Sequence, residues 1–327
     1  MKSLKSFSRV IAVFCLIAVS HVSHAQAIRL RLAHSGAEAE TQHAAALEFA
    51  KQVKSKTNGQ IEVQVYPAST LGNDNTAIAA VRGGTIDMTT SGTPYYTGMV
   101  GRMNVLDLPY IFANADHAYK VLDGSIGRGL LDELEANNLK GLAYWEVGFR
   151  SLTNSRRPVR TPDDIKGLKI RVTENPVHIT AFRTLGASPT PMAWPEVIGA
   201  LQQGTIDGQE NPVSVFVSAK LWQVQKNLSL TSHVYAPMAL IVSPAFFGSL
   251  SDSEKVAFIE GAKAGALASR KFVDDVEKKA VTEIQSHGVQ VVTKVDVASF
   301  QAGVAPAYKQ YAAKFGQATI DKITQTK

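Results

Sequence analysis

From Ile28 onward the chain switches repeatedly between two hydrophobic periods. Ile28 to Ala33 alternates in period two, as a strand with one buried face does. A helical pattern follows through Ala46, Phe49, Ala50 and Val53, and Asn58-Gly59 ends it. Ile61 to Tyr66 alternates again. Asn73 or Asp74 can cap a helix reaching Arg82, Gly83-Gly84 stop it, and Ile86 to Thr90 makes a third strand. Strand–helix–strand–helix–strand is the pattern of a parallel sheet covered by helices.

A second series of such units begins with a strand at Leu142 to Val147. Thr161-Pro162-Asp163-Asp164 starts a helix, with a hydroxyl N-cap, proline in the first turn and acids at the positive helix end. Leu168 to Val172 is a strand, Asn175-Pro176 caps a helix ending near Gly186, and Pro195 opens another through Gln203. Ile206-Asp207 then leads into a turn at Gly208. Between Ser253 and Ser286 there is no proline, and Phe272, Val276, Ala280 and Ile284 repeat at helical spacing. Such a helix is about 50 Å long at 1.5 Å per residue and can run beneath two lobes. A strand from Val289 to Val295 and a helical pattern from Phe300 to Phe315 close the chain. The pattern predicts two α/β lobes with more than one crossover, and ligands of such sheets bind beyond the carboxyl ends of the strands.

The first 25 residues read as a cleaved secretory signal. Lys2, Lys5 and Arg9 precede an apolar run from Val10 to Val22, and Ser23-His24-Ala25 supplies a cleavage site. That run is shorter than the roughly 20 residues a membrane span needs, and no later segment is long and apolar enough. A soluble periplasmic protein is expected. The single cysteine, Cys15, lies inside the signal behind Phe14, where a lipoprotein signal carries a small residue. The exported chain is therefore expected to have no thiolate, disulfide or lipid anchor. Its formal charge falls from +6 once the three basic signal residues are removed, and the remaining Lys and Arg are scattered among acids. Without a basic run, nucleic acid is not a predicted partner.

Arg171 closes the strand Leu168 to Val172, with Lys169 and Arg171 on the face opposite Leu168, Ile170 and Val172. Arg150 follows the strand at Leu142 to Val147, and Asn211 lies at a third strand-to-helix junction. Two guanidinium forks and a carboxamide meeting in a cleft would satisfy a carboxylate and a neighbouring hydroxyl or carbonyl. Enzyme signatures are missing: there is no Gly-x-Ser-x-Gly elbow and no phosphate-binding Gly-x-x-x-x-Gly-Lys-Ser/Thr loop. Gly124, Gly127 and Gly129 stand in the wrong order for a dinucleotide fingerprint, and Asp163-Asp164 reads as a helix first turn. His43, His117 and His178 read as surface or packing histidines, whereas His34 and His233 flank cleft strands and count as ligand candidates. No histidine stands at metal-ligand spacing, so neither a metal nor a cofactor is expected.

Six motifs in order carry a resemblance: Tyr66 to Gly72, Leu108 to Tyr110, Gly148 to Arg150, Gly167 to Val172, Gly186 to Met192 and Asp207 to Pro212. Over nearly the whole exported chain they resemble the solute-binding proteins of tripartite ATP-independent periplasmic (TRAP) transporters, the DctP family. The resemblance implies a two-lobed periplasmic-binding-protein-like α/β fold, mainly parallel sheets flanked by helices, with a long helix spanning both lobes. The expected division is signal 1–25, lobe I at 26–147 plus 236–275, lobe II at 148–235 plus 276–303, and a C-terminal helical segment 304–327. It also implies that Arg171 holds a ligand carboxylate, that Arg150 and Asn211 complete the clamp, and that Trp194 lies against the ligand. Asn73, Ser91, Thr93 and Tyr95 match first-lobe positions that vary with the solute, and Glu210 matches a support for the arginines.

Sialic-acid binders carry an acid and a second arginine where this chain has Gly92 and Tyr95. A sugar acid such as a uronate or aldonate is therefore the expected solute, delivered by a monomeric receptor to the small and large permease subunits. C4-dicarboxylates and keto or aromatic monocarboxylates are alternatives within the family. A ligand sensor for a membrane kinase would share the chemistry, and a secreted hydrolase is the alternative of a different class.

Overall fold

The structure, a computed structural model, describes residues 27–326; the signal expected at 1–25 lies outside the described residues. One sheet contains β1 (Ile28–Ala33), β2 (Ile61–Tyr66), β3 (Met88–Gly92), β4 (Lys140–Asn154), β5 (Lys169–Val172), β6 (Ser188–Pro191), β7 (Gly208–Pro212), β8 (Asn227–Val242) and β9 (Gln290–Val292). The helices are α1 (Thr41–Lys56), α2 (Asp74–Arg82), α3 (Ala115–Asp123), α4 (Ser125–Asp132), α5 (Pro176–Thr184), α6 (Trp194–Gln203), α7 (Val213–Ser218), α8 (Pro244–Ser249), α9 (Asp252–Ser286), α10 (Val297–Phe315) and α11 (Gln317–Thr324). Strand order is β2-β1-β3-β8-β4-β7-β5-β6, with β9 on β8.

The pairings of β1 with β2 and β3, of β5 with β6 and β7, and of β8 with β9 are parallel, as strand–helix alternation predicts. Every antiparallel pairing involves β4 or β8. These two long strands join a parallel sheet in one lobe to a parallel sheet in the other, and five of the eight pairings among the described residues are parallel, in keeping with the mainly parallel sheet the resemblance implies. Beyond the strand expected beside His233, the sequence pattern does not delimit β8. It is buried on both faces along most of its length, which erases period-two alternation, and Ser232 at φ 43° interrupts its pleat.

Three other boundaries move for local reasons. β3 starts at Met88 because the Asp87 carboxylate accepts the Arg31 backbone N–H at 2.7 Å in place of a strand partner. The helix expected at Thr161 is one 3-10 turn, Pro162–Ile165, with the Thr161/Asp164 capping box in place. The last strand ends at Val292, and α10 takes over from Val297.

Helix α9 is 35 residues long, about 50 Å. Ala257, Gly261, Ala262, Gly265, Ala266 and Ser269 line its buried face, and α1 and β4 press against it. A Cβ at Gly265 would stand 2.6 Å from the Trp145 ring, and Trp145 Nε1 donates to the Ala262 carbonyl at 2.9 Å. Close approach, rather than backbone freedom, is what fixes glycine there. Helix α10 runs unbroken across the division expected at 303/304. Phe300 and Val304 pack with the second-lobe core around Ile170, and Tyr311 and Phe315 pack with the first-lobe core around Met103.

Candidate functional site

Arg171 lies inside β5 and is 1% exposed. Its Nε and Nη2 both donate to the Met192 carbonyl, at 2.9 and 2.6 Å, in the link between β6 and α6. The Trp194 ring stands 5.9 Å from its Cζ, within cation–π range. Among the described residues no carboxylate forms a salt bridge with Arg171. A guanidinium carries five N–H donors, and the Met192 carbonyl takes two of this buried cation's.

Arg150 is held differently. A bulge at Gly148, whose φ is 113°, shifts the register of β4, so the strand continues past Arg150 instead of ending before it. Arg150 Nε donates to Glu210 Oε2 at 2.5 Å, and Nη2 donates to Glu210 Oε1 at 2.8 Å and to the Glu210 carbonyl at 2.5 Å. His233 Nε2 adds a contact to Glu210 Oε2 at 3.2 Å, and its Nδ1 meets Thr231 Oγ1 at 2.8 Å. Burial pushes the Glu210 carboxyl upward, but the Arg150 charge and the His233 and Arg150 hydrogen bonds outweigh it and hold it well below the usual carboxylate range. Asn211, within β7 rather than at its end, donates from Nδ2 to Gln209 Oε1 at 2.7 Å. That bond fixes the plane of its carboxamide.

A cavity of about 70 Å³ lies between the lobes, walled by Arg150, Arg171, Trp194 and Asn211 on one side and Asp74, Tyr95 and Asp107 on the other. Burial raises the Asp74 carboxyl, against the pull of the Ser35 and Ser91 hydroxyls and the Arg171 charge. Burial likewise pushes Asp107 up to about 7, although Thr93 Oγ1 and Asn175 Nδ2 donate to it at 2.6 and 2.9 Å. The Tyr95 hydroxyl is raised to about 12 by burial and the nearby Asp74 charge, so it is a neutral hydrogen-bonding group.

Of the residues read from the sequence, Arg171, Arg150, Asn211, Trp194 and Tyr95 reach the cavity wall; Glu210, His233, Asn73, Ser91, Thr93 and His34 do not. Glu210 and His233 stand behind Arg150. Asn73 spends its carboxamide capping α2, accepting from the Thr76 backbone at 3.0 Å, which leaves the next residue, Asp74, to face the cavity. Thr93 is turned to Asp107, and Ser91 is buried within β3. His34 meets His43 at 3.2 Å, and burial together with that neighbour lowers it to about 4.

Sequence reasoning missed Asp74, Asp107 and His178 as wall residues. A signal existed for Asp107: a lone carboxylate in the apolar run Val105-Leu106-Asp107-Leu108-Pro109 needs an internal partner. His178 carried none, since a histidine in the first turn of a helix is ordinary by pattern.

Two lobes joined by long strands, with a cavity between them holding a buried cation short of an anion, define a solute-binding protein of the extracytoplasmic kind. The chain belongs to the DctP family, bacterial extracellular solute-binding protein, family 7, which it matches over residues 32–314. It is 42% identical over 284 residues to the 2,3-diketo-L-gulonate-binding periplasmic protein YiaO of Escherichia coli, covering 87% of each chain. A TRAP periplasmic solute-binding protein of Bordetella bronchiseptica, with density assigned to pantoate, superimposes with a TM-score of 0.90 at 45% identity, over 92% of this chain and 99% of that one. Another, from Polaromonas sp. JS666 and bound to D-erythronate, matches with a TM-score of 0.90 at 41% identity, over 92% and 99% of the two chains. The protein is therefore a TRAP-transporter solute receptor and not an enzyme, working with membrane permease components on small carboxylate solutes.

Proposed function

We propose that the solute is a short sugar acid, an aldonate or uronate, bound as a monocarboxylate with its hydroxyls toward the first lobe. The observation that carries this is Arg171, a cation 1% exposed that is held by the Met192 carbonyl and forms no salt bridge with a carboxylate among the described residues. The ligand carboxylate supplies the missing anion through a two-bond fork. Asn211 and the free Nη1 of Arg150 steady it, and Trp194 lies against the carbon chain. Asp74, Tyr95 and Asp107 meet the hydroxyls. The relatives named for D-erythronate and 2,3-diketo-L-gulonate support an oxygenated acid.

A C4-dicarboxylate is the second reading. Its far carboxylate would meet Asp74 and Asp107, on a side of the cavity that offers it no lysine or arginine, so a second buried anion there is disfavoured. Lobe I (26–147 and 236–275) closes on lobe II (148–235 and 276–303), the segment 304–327 bracing both, and the closed monomer is presented to the small and large permease subunits. Residues 1–25 are removed on export to the periplasm.

The test is a thermal-shift screen of refolded, solute-stripped protein against sugar acids, keto acids, dicarboxylates and neutral sugars. A solute at one hundred times its Kd adds about 2.7 kcal/mol of stability. Arg171→Ala is expected to weaken a sugar-acid hit by roughly 2–5 kcal/mol, or about 30- to several thousand-fold. Arg171→Lys fails as well, because an ammonium cannot form the fork. Hits confined to dicarboxylates or neutral sugars, or an Arg171→Ala affinity within about threefold of wild type, would overturn the reading.

A further inference from the structure

His178 forms part of the cavity wall, yet the clamp described above makes no use of it. The residue is 2% exposed, and its Nε2 has no hydrogen-bond partner among the described residues. Its Nδ1 lies 2.7 Å from Thr173 Oγ1. The Thr173 hydroxyl has no other acceptor among the hydrogen bonds of the described residues. If Nδ1 carried the proton, that hydroxyl would be left without an acceptor. When Thr173 donates to Nδ1 instead, both groups are satisfied and the ring proton sits on Nε2. The ring is neutral: burial, with Arg150, His233 and Arg171 nearby, lowers its pKa to about 3 despite the pull of Glu210. The result is a buried, neutral N–H beside the two arginines with nothing among the described residues to receive it, and such groups nearly always have a partner.

We propose that His178 Nε2–H donates to an oxygen on the carbon next to the solute's carboxylate, making the receptor selective for acids with a hydroxyl or keto oxygen there. This rests on the sugar-acid reading above. The carboxylate itself offers about four lone-pair sites, and the unspent donors of Arg171 with Arg150 Nη1 can fill them. The next acceptor along the chain is the oxygen on the adjacent carbon. A neutral donor there adds direction without adding a third cation to the clamp. An analogue lacking that oxygen would leave the N–H buried and unpaired, which is how a site built to bond an oxygen rejects its deoxy counterpart.

The experiment is titration calorimetry of the solute-stripped protein with four- to six-carbon aldonates and their counterparts lacking the oxygen next to the carboxylate. Wild type is expected to prefer the oxygenated acid by about 10- to 100-fold. His178→Leu should bring the pair within about threefold, while His178→Gln, which keeps a neutral N–H of similar reach, should retain most of the preference. Nitrogen-15 NMR of the wild-type imidazole gives a readout independent of variant folding: the protonated Nε2 signal moves when the aldonate is added and stays put with the deoxy acid. A preference that survives His178→Leu, or an Nε2 signal that responds equally to both acids, would refute the inference. So would a wild type that fails to separate the two acids while Arg171→Ala still abolishes binding, an outcome that leaves the sugar-acid reading standing. No aldonate binding at all would remove that reading and the inference together.

Discussion

Glu210→Gln is the sharpest perturbation of the site's internal support. In the native protein Glu210 is fully buried and takes two side-chain hydrogen bonds from Arg150 and one contact from His233. The amide keeps the shape but removes the charge, and one of its two ends must turn an N–H toward donors on Arg150 or His233. Arg150, 6% exposed, is then a buried cation without a counterion. Removing one partner of a buried pair costs about 3–5 kcal/mol. At roughly 2–4 °C per kcal/mol for a chain of this size class, the apo protein should melt about 6–20 °C lower at pH 7.5. The pH dependence supplies an independent check. The folded carboxyl lies below its unfolded value, so its stabilisation is fully present above about pH 4.3 and is lost as pH falls through the folded value. Below about pH 4.3 the wild-type advantage should therefore shrink by about 1.4 kcal/mol per pH unit. Differential scanning calorimetry of both proteins between pH 7.5 and 3 measures the two effects together. Equal melting at pH 7.5, or a gap that stays constant into acid, would mean that Glu210 does not hold Arg150 by charge.

Two further outcomes follow from the packing and the clamp. Gly265→Ala places a Cβ 2.6 Å from Trp145 and should destabilise by about 1–3 kcal/mol through overpacking; urea unfolding with an unchanged midpoint would contradict the close α9–β4 approach. Arg171→Ala, besides losing the solute, removes a buried cation that forms no salt bridge with a carboxylate among the described residues. Its apo form should melt no lower than wild type while Arg150→Ala melts well below it, and the reverse order would show that the two arginines are not held as described.

Much of this was legible in the sequence where one face of an element is buried and the other is wet. β1 and β2 fall where alternation puts them, and the Asn73 and Asn175 caps and long α9 follow from local chemistry. The extent of β8 was illegible because both its faces are covered. Among site residues, Arg171 and Trp194 could be read because they sit in motifs, whereas Asp74 was obscured by its neighbour. Pattern cannot tell which of Asn73 and Asp74 caps α2 and which turns into the cavity, since either side chain can cap. Thr93 and Ser91 were placed one layer too far forward for a similar reason. Their strand and turn border the cavity, but Thr93 turns its hydroxyl to Asp107 and Ser91 stays buried within β3, which leaves the wall to neighbouring residues.

The unequal treatment of the two arginines explains how one cavity can be both stable and receptive. Two buried guanidiniums without counterions would each carry a desolvation cost of several kcal/mol. Arg150 escapes that cost through Glu210, and its remaining amino group then stands in a fixed place. Only Arg171 is left to be neutralised from outside, and its fork is pre-aimed by the Met192 carbonyl. On the proposed reading a solute with one carboxylate would restore balance there, while the side of the cavity formed by Asp74, Tyr95 and Asp107 offers no lysine or arginine to a second anion. On the proposed reading the arginines set the place of the carboxylate, and the neutral groups Tyr95, Asn211 and His178 are left to set where the solute's oxygens lie.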